Sequence, residues 1–169
     1  PGVAPAGSRG ARGSGLPLES EPLRWHSGSY RRIAVAVELA DADDNVLYFL
    51  RRAQFAPEAE LVFVHVAESA ASRWLGEQSH DSESREDLAA LEALGREFVE
   101  RGIRSTVRLG HGEPAPEIGR MVREERADLL ITGSHGHKGL SDAVFGATVS
   151  SVRHLVTCPI LTVPPRGRG

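Results

Sequence analysis

Five short apolar runs alternate with four amphipathic segments along this chain. The first run, Arg32 to Val37, is nearly continuous, as in a strand covered on both faces of a parallel sheet. Asp41 or Asp43 then caps a predicted helix running to about Gln54, with Val46, Leu47, Leu50 and Ala53 on its inner face. A second apolar strand is predicted from Glu60 to Val66. Residues 67–82 are polar and aperiodic, and read as a loop longer than an ordinary connection, with Trp74 and Leu75 as its docking groups. A second helix is predicted over Ser82 to Arg101, with Leu88, Leu91, Leu94, Phe98 and Val99 as its stripe and Gly102 just past its end. Ser105 to Leu109 reads as a third strand. Gly110 to Pro114 turns into a helix over Ala115 to Arg126, with Ile118, Met121 and Val122 inward. Asp128 to Thr132 is the fourth strand, Ala147 to Val156 the fourth helix, and Pro159 to Val163 the last strand.

Strict alternation of strand and helix with right-handed crossovers predicts an α/β fold: an open five-stranded parallel sheet, doubly wound, with helices on both faces. Ligands of such sheets sit beyond the carboxyl ends of the strands, where the winding reverses. Glu38, Val66, the Gly110–Gly112 turn and the segment after Gly133 all fall on that rim. Four candidates on one edge point to a site there.

The richest chemistry lies between Leu129 and Thr148. An apolar run ends in Thr132-Gly133, glycines recur at 136 and 139, and Gly146 opens a segment whose Val149, Val152, Leu155 and Val156 have helical spacing. Strand, glycine-rich loop and helix start suit an anion, because glycine lets backbone approach closely and the first helical N–H groups have no intrahelical partner. A tight turn that binds nothing is the plainer alternative. The sequence contains neither G-x-x-x-x-G-K-[ST] nor G-x-G-x-x-G, so the common phosphate-loop and dinucleotide motifs are excluded.

The spacing Gly133-x2-Gly136-x9-Gly146 resembles the nucleotide loop of the universal stress protein family. Gly133-Ser134-His135-Gly136, Cys158-Pro159 and Ile160-Leu161-Thr162-Val163 are similar to that family too, over about residues 31–164. The resemblance implies a Rossmann-like fold of the adenine nucleotide alpha hydrolase type. It also implies binding of ATP, or AMP or ADP, with Mg as companion ion. On the family pattern the nucleotide-binding positions are Ala36, Val37, Glu38, Val66, Gly133, Ser134, His135, Gly136, His137, Gly146, Ala147, Thr148 and Val149. Two of them depart from it. Ala147 stands where the family has Ser or Thr, with Thr148 one residue later, a loss of one hydrogen bond worth roughly 0.5–1.5 kcal/mol. Glu38 stands where ATP-binding members have Asp. The resemblance further implies a homodimer through the Ile160–Val163 edge strand, a regulatory rather than enzymatic role, and at most slow hydrolysis, since no general base or arginine finger is assigned. The alternative is a module that dimerises or docks without nucleotide. The runs 135–142 and 145–154 also resemble stress-protein domains appended to membrane transporters, which implies a tethered cytoplasmic regulatory domain.

Composition narrows the remaining classes. Hydrophobic residues make up 40% and charged residues 25% of the 169 residues, the balance of a soluble globular domain. No apolar run reaches the ~18–20 residues of a membrane span, and none resembles a secretory leader, so a cytoplasmic location is expected. The lone Cys158 forms no internal disulfide and is read as a small buried hydrophobe rather than a nucleophile. The formal net charge is −3, while residues 1–31 carry four arginines against two glutamates. The remainder is therefore more acidic than the whole, which disfavours nucleic acid as partner. His111, His135, His137 and His154 lack a spacing typical of metal ligands, and no metal site is predicted. His65, on an apolar strand, reads as a core histidine. Lys138 offers charge to a phosphate tail or solvates the loop. With 5% aromatic residues, stacking on a flavin ring is disfavoured. Residues 1–29, rich in Gly, Pro, Ala, Ser and Arg, read as a flexible linker or tag-like segment. Trp25 is its one docking group, 30–165 is the domain and 166–169 a tail.

Overall fold

A computed structural model describes residues 26–67, 77–134 and 147–164. Strands β1 (Arg32–Ala36), β2 (Glu60–Ala67), β3 (Arg104–His111), β4 (Leu129–Gly133) and β5 (Ile160–Val163) form one sheet in the order β3-β2-β1-β4-β5. Every neighbouring pair is parallel. Helices α1 (Asp44–Arg52), α2 (Glu77–Glu100), α3 (Pro114–Glu124) and α4 (Ala147–Val152) connect them.

The period-2 alternation of strand side chains sorts the core into two layers. On one face Ile33, Val35, Leu61, Phe63 and Ile131 meet Val46 and Leu50 of α1 and Leu91 and Phe98 of α2. The other face joins Ala34, Val62, Val64 and Leu130 to Ile118, Met121 and Val122 of α3 and Val152 of α4. Phe63 and Phe98 lie with ring centroids 5.2 Å apart, pinning the carboxyl half of α2 to the centre of the sheet. The doubly wound architecture expected from the alternation is present.

Several element ends differ from expectation, each for a local reason. Residues 77–81 are helical although their polarity suggested loop; they continue the helix that Leu91 and Phe98 anchor to the core. Leu88 and Val99, assigned to the buried stripe, are exposed; with a 3.6-residue period only Leu91, Leu94 and Phe98 stay aligned with the sheet. Leu155 is likewise largely exposed. Helix α1 stops at Arg52, and Gln54 instead forms a parallel bridge with His26. Helix α3 ends at Glu124, followed by Arg126 in the left-handed region at φ 51°. Helix α4 is shorter than expected and closes in turns, with Leu155 N–H donating to the Val152 carbonyl at 2.8 Å.

The segment expected to be flexible to residue 29 is tied to the domain from His26 onward. Ser27 is buried, its N–H donates to the Gln54 carbonyl at 2.9 Å, and its Oγ accepts from Ala56 N–H at 2.8 Å. Residues 1–25 with Trp25, Trp74, Leu75 and the 166–169 tail lie outside the described residues. At the amino edge of the sheet, Asp128 accepts from the amides of Arg31 and Arg32 at 2.9 and 3.1 Å, so its side chain clips β1 to β4.

A forked ion pair, Arg51 Nε and Nη2 on Glu97 Oε1 and Oε2 at 2.8 and 2.9 Å, links α1 to α2. The Arg51 guanidinium holds the Glu97 carboxyl below the ordinary glutamate range. Stability from this pair is thus present above the unfolded-state value and lost as pH falls through the folded one. Both side chains are more than a third exposed, and solvent screens the pair. Glu97→Gln is expected to cost about 0.5 kcal/mol at pH 7 in urea unfolding. The difference from the parent chain should vanish near pH 3.

Candidate functional site

The winding reverses between β1 and β4. From β1 the chain steps outward through β2 to β3, then returns across the sheet to β4 on the other side of β1. Helices α1 and α2 therefore cover one face, α3 and α4 the other, and the winding reverses where β1 and β4 end side by side. The register Ile33↔Leu129, Ala34↔Leu130, Val35↔Ile131 brings Ala36, Val37 and Glu38 beside Thr132 and Gly133.

Of the sequence-derived candidates, the fold collects Ala36, Val37 and Glu38 after β1, Gly133 and Ser134 after β4, and Val66 near the end of β2 on one rim. Val66 is buried and Glu38 exposed. Ala36, Thr132, Thr148 and Val149 share a small cavity of about 10 Å³ under α4, closed below by Leu130 and Val152. Ala147 opens α4. Ser134 is buried and its N–H donates to the Val163 carbonyl at 3.0 Å, so that amide belongs to the sheet and is not presented to an anion. His135, Gly136, His137, Lys138 and Gly146 lie outside the described residues.

The loop that carries Glu38 is organised by a residue the sequence placed elsewhere. Asp41 or Asp43 was expected to cap α1; Asp43 stands at the N-cap position but makes no cap hydrogen bond to that helix. Its carboxylate turns back and accepts from the amides of Glu38 at 2.9 Å, Leu39 at 2.7 Å and Ala40 at 3.4 Å. Leu39 sits in the left-handed region at φ 58°, a conformation costly for a branched side chain, and the Asp43 bond to its amide holds it there. Asp43 is buried; desolvation pushes its carboxyl above the ordinary aspartate range, against the pull of the three amide donors. Its spacing of five residues from Glu38, inside a 3-10 turn, was the available signal.

His65 is indeed a core histidine with partners. Its Nδ1 lies 2.9 Å from the Val37 carbonyl, and its Nε2 faces Asp87 Oδ2 of α2 at 3.6 Å. Cys158 is half-buried beside the second core layer, and burial pushes its thiol up, the behaviour of a packing group rather than a nucleophile. His111 ends β3 with its side chain exposed, and His154 accepts from Arg153 Nε at 3.1 Å. Among the described residues no three His, Cys, Asp or Glu side chains gather as metal ligands would.

A five-stranded parallel sheet of this order, wound in both directions from β1, defines a doubly wound α/β domain. The model of the universal stress protein family matches residues 29–164, and the chain belongs to that family. Universal stress protein YxiE of Bacillus subtilis is 27% identical over 146 residues, covering 79% of this chain and 99% of its own. The solved structure of hypothetical protein MJ0577 superposes with a TM-score of 0.70 at 20% identity, covering 82% of this chain and 99% of that one. A universal stress protein from Archaeoglobus fulgidus, solved in complex with dAMP, gives a TM-score of 0.54 at 18% identity over 79% of this chain and 98% of its own. At these identities the superpositions establish the fold. None of the described helices is long and apolar enough to cross a membrane.

Proposed function

We propose that this domain binds an adenine nucleotide at the carboxyl edge of its sheet and acts as a regulatory module. The observation that carries this reading is the reversal of winding between β1 and β4, which brings Ala36–Glu38 and Gly133 together at the point where such sheets take ligands. Family membership and the dAMP held by the Archaeoglobus relative support it. In this reading adenosine lies along Val37, Glu38 and Val66, Glu38 accepts from the ribose hydroxyls, and the phosphates meet the segment from Gly133 to Gly146 and the start of α4. ATP with Mg is the ligand proposed, with AMP or ADP as alternatives. Hydrolysis is slow at most, because the sequence assigns no general base and no arginine finger.

The same reading takes the protein as a homodimer paired through β5. The two sheet edges differ in the way this requires. On the β3 edge Arg104 reaches the Glu58 carbonyl and Arg108 pairs with Glu124 and Glu125, a charged edge that resists another strand. The β5 edge, Ile160-Leu161-Thr162-Val163, carries no charge, and a groove of about 190 Å³ lined by Val149, Ser150, Arg153, Ile160 and Thr162 runs beside it.

Ala147, in place of the family's hydroxyl residue, favours the second reading, a dimerisation module without nucleotide. Calorimetric titration with Mg-ATP separates the two. Binding is expected for the parent chain, and Gly146→Ala should weaken it at least about tenfold, since a methyl group there obstructs close backbone approach. Dimerisation, followed by sedimentation, should be unchanged in that variant. Absence of binding at millimolar ATP removes the nucleotide reading.

A further inference from the structure

Strand β2 outruns β1. Their register ends at Ala36↔Val64, whereas β2 keeps pairing with β3 through His65↔Leu109, Val66↔Gly110 and Ala67↔His111. Successive residues of a parallel strand aim their backbone groups at opposite neighbours. The Ala67 carbonyl accepts from Gly112 on the β3 side at 3.3 Å, and the Val64 carbonyl accepts from Val37 on the β1 side at 3.0 Å. Val66 N–H and C=O therefore aim at the β1 side. The next ladder bond there, from Val66 N–H to the Val37 carbonyl, is not made among the described residues.

Side chains take the place of β2 along the chain that leaves β1. The Val37 carbonyl, which a continued ladder would offer to Val66, receives His65 Nδ1 at 2.9 Å; that oxygen only accepts, so Nδ1 carries the hydrogen. The amides of Glu38, Leu39 and Ala40 go to the Asp43 carboxylate, which turns the chain away from β2. Val66 is buried, and folded chains seldom leave a buried N–H and C=O without partners unless a ligand or water completes them. A donor beside an acceptor suits a ligand edge carrying the opposite pair.

We propose that His65 is a positioning residue of the nucleotide site: by occupying the Val37 carbonyl it halts the β1–β2 ladder one bridge early and keeps Val66 N–H and C=O turned toward the base. The imidazole touches no ligand and acts through the backbone of its neighbour. The inference rests on the nucleotide reading above, in which the base lies beside Val66. Adenine offers an accepting ring nitrogen next to a donating amino group, the complement of what Val66 presents.

The test uses His65→Val, which removes the donor but keeps an apolar, strand-favouring side chain, and His65→Asn, whose amide returns an N–H near the place of Nδ1. In His65→Val the freed Val37 carbonyl is expected to take Val66 N–H and the ladder to advance by one bridge. Mg-ATP and Mg-ITP are titrated by calorimetry into all three proteins, because hypoxanthine presents a ring N–H and an oxo group, the reverse of adenine. The parent chain is expected to prefer ATP by about tenfold, His65→Val to lose about tenfold in ATP affinity and most of that preference, and His65→Asn to stay within about threefold of the parent. Amide exchange at Val66 should be faster than at Val64 in the free parent chain, slowed by ATP, and already slow in free His65→Val. Equal ATP affinities and equal ATP-to-ITP ratios in parent and His65→Val overturn this proposal and leave the nucleotide reading standing, as does a His65→Asn chain as weak as His65→Val. A Val66 amide as protected as Val64 in the free parent chain overturns it too, and that measurement stands even if His65→Val does not fold. If ATP binds none of the three proteins, the nucleotide reading fails and the role assigned to His65 fails with it.

Discussion

Phe98→Ala is expected to lower the free energy of unfolding by about 3–5 kcal/mol. Phe98 is completely buried, and its ring lies against Phe63 of β2 at 5.2 Å between centroids, with Leu91 and Leu50 in the same layer. Truncation removes the apolar area of a whole ring and leaves a cavity between α2 and the sheet that rigid strands cannot collapse to fill. For a domain of this size the loss corresponds to a fall in the thermal midpoint of roughly 10 °C, read by circular dichroism. Ligand affinity measured well below that midpoint should change far less, because Phe98 lies in the carboxyl half of α2, away from the rim. A loss under about 1 kcal/mol would show that α2 is not held to the sheet through this contact.

Asp43→Ala is the second large effect, about 2–3 kcal/mol at pH 7 in urea unfolding, and its reach extends to function. One carboxylate serves three amides, at 2.9, 2.7 and 3.4 Å, one of them on a leucine in the left-handed region. Without it the amides of Glu38, Leu39 and Ala40 lose their acceptor and the strain at Leu39 is released by rearrangement of the loop. Because Glu38 rides on that loop, nucleotide affinity should fall together with stability, whereas Phe98→Ala should lower stability almost alone. The pH dependence has a definite sign. Burial makes the folded state hold the Asp43 proton more tightly than the unfolded chain does. Ionising the group therefore subtracts stability as pH rises from the ordinary aspartate value through the folded-state value. That slope should be missing from the acid limb of the Asp43→Ala stability profile. An Asp43→Ala chain as stable as the parent would mean that water serves the three amides equally well.

The two variants separate what was readable in the chain from what was not. Apolar runs at Ile33–Val37 and Leu61–Val66 announced strands covered on both faces, and that property alone demands helices above and below. Right-handed crossovers then leave few strand orders, so the rim holding Glu38, Val66 and Gly133 could be located from the sequence. Leu91 and Phe98 were legible as core for the same reason: a period of 3.6 is a local property. Leu88 and Val99 belonged to the same stripe by type but not by angle. Which members of an apolar stripe meet the sheet depends on the axis along which the helix lies, and only packing sets that axis.

Asp43 shows the limit more sharply. Locally, an aspartate before an amphipathic run is a helix cap, and its five-residue spacing from Glu38 is a weak signal beside that rule. Its carboxylate turned away because the chain leaving β1 presents three amides that no strand could satisfy, a demand that exists only once β1 is seated between β2 and β4. His65 follows the same rule: apolar neighbours marked it as core, but its placement between the Val37 carbonyl and Asp87 joins β1, β2 and α2. The amino-acid sequence by itself determined the family, the strand and helix order and which residues end the strands at the carboxyl edge of the sheet, because periodicity and glycine spacing are encoded within short stretches. Tertiary structure alone decided which polar groups serve that edge, because a buried carboxylate or imidazole takes the partners that long-range packing brings within hydrogen-bond reach.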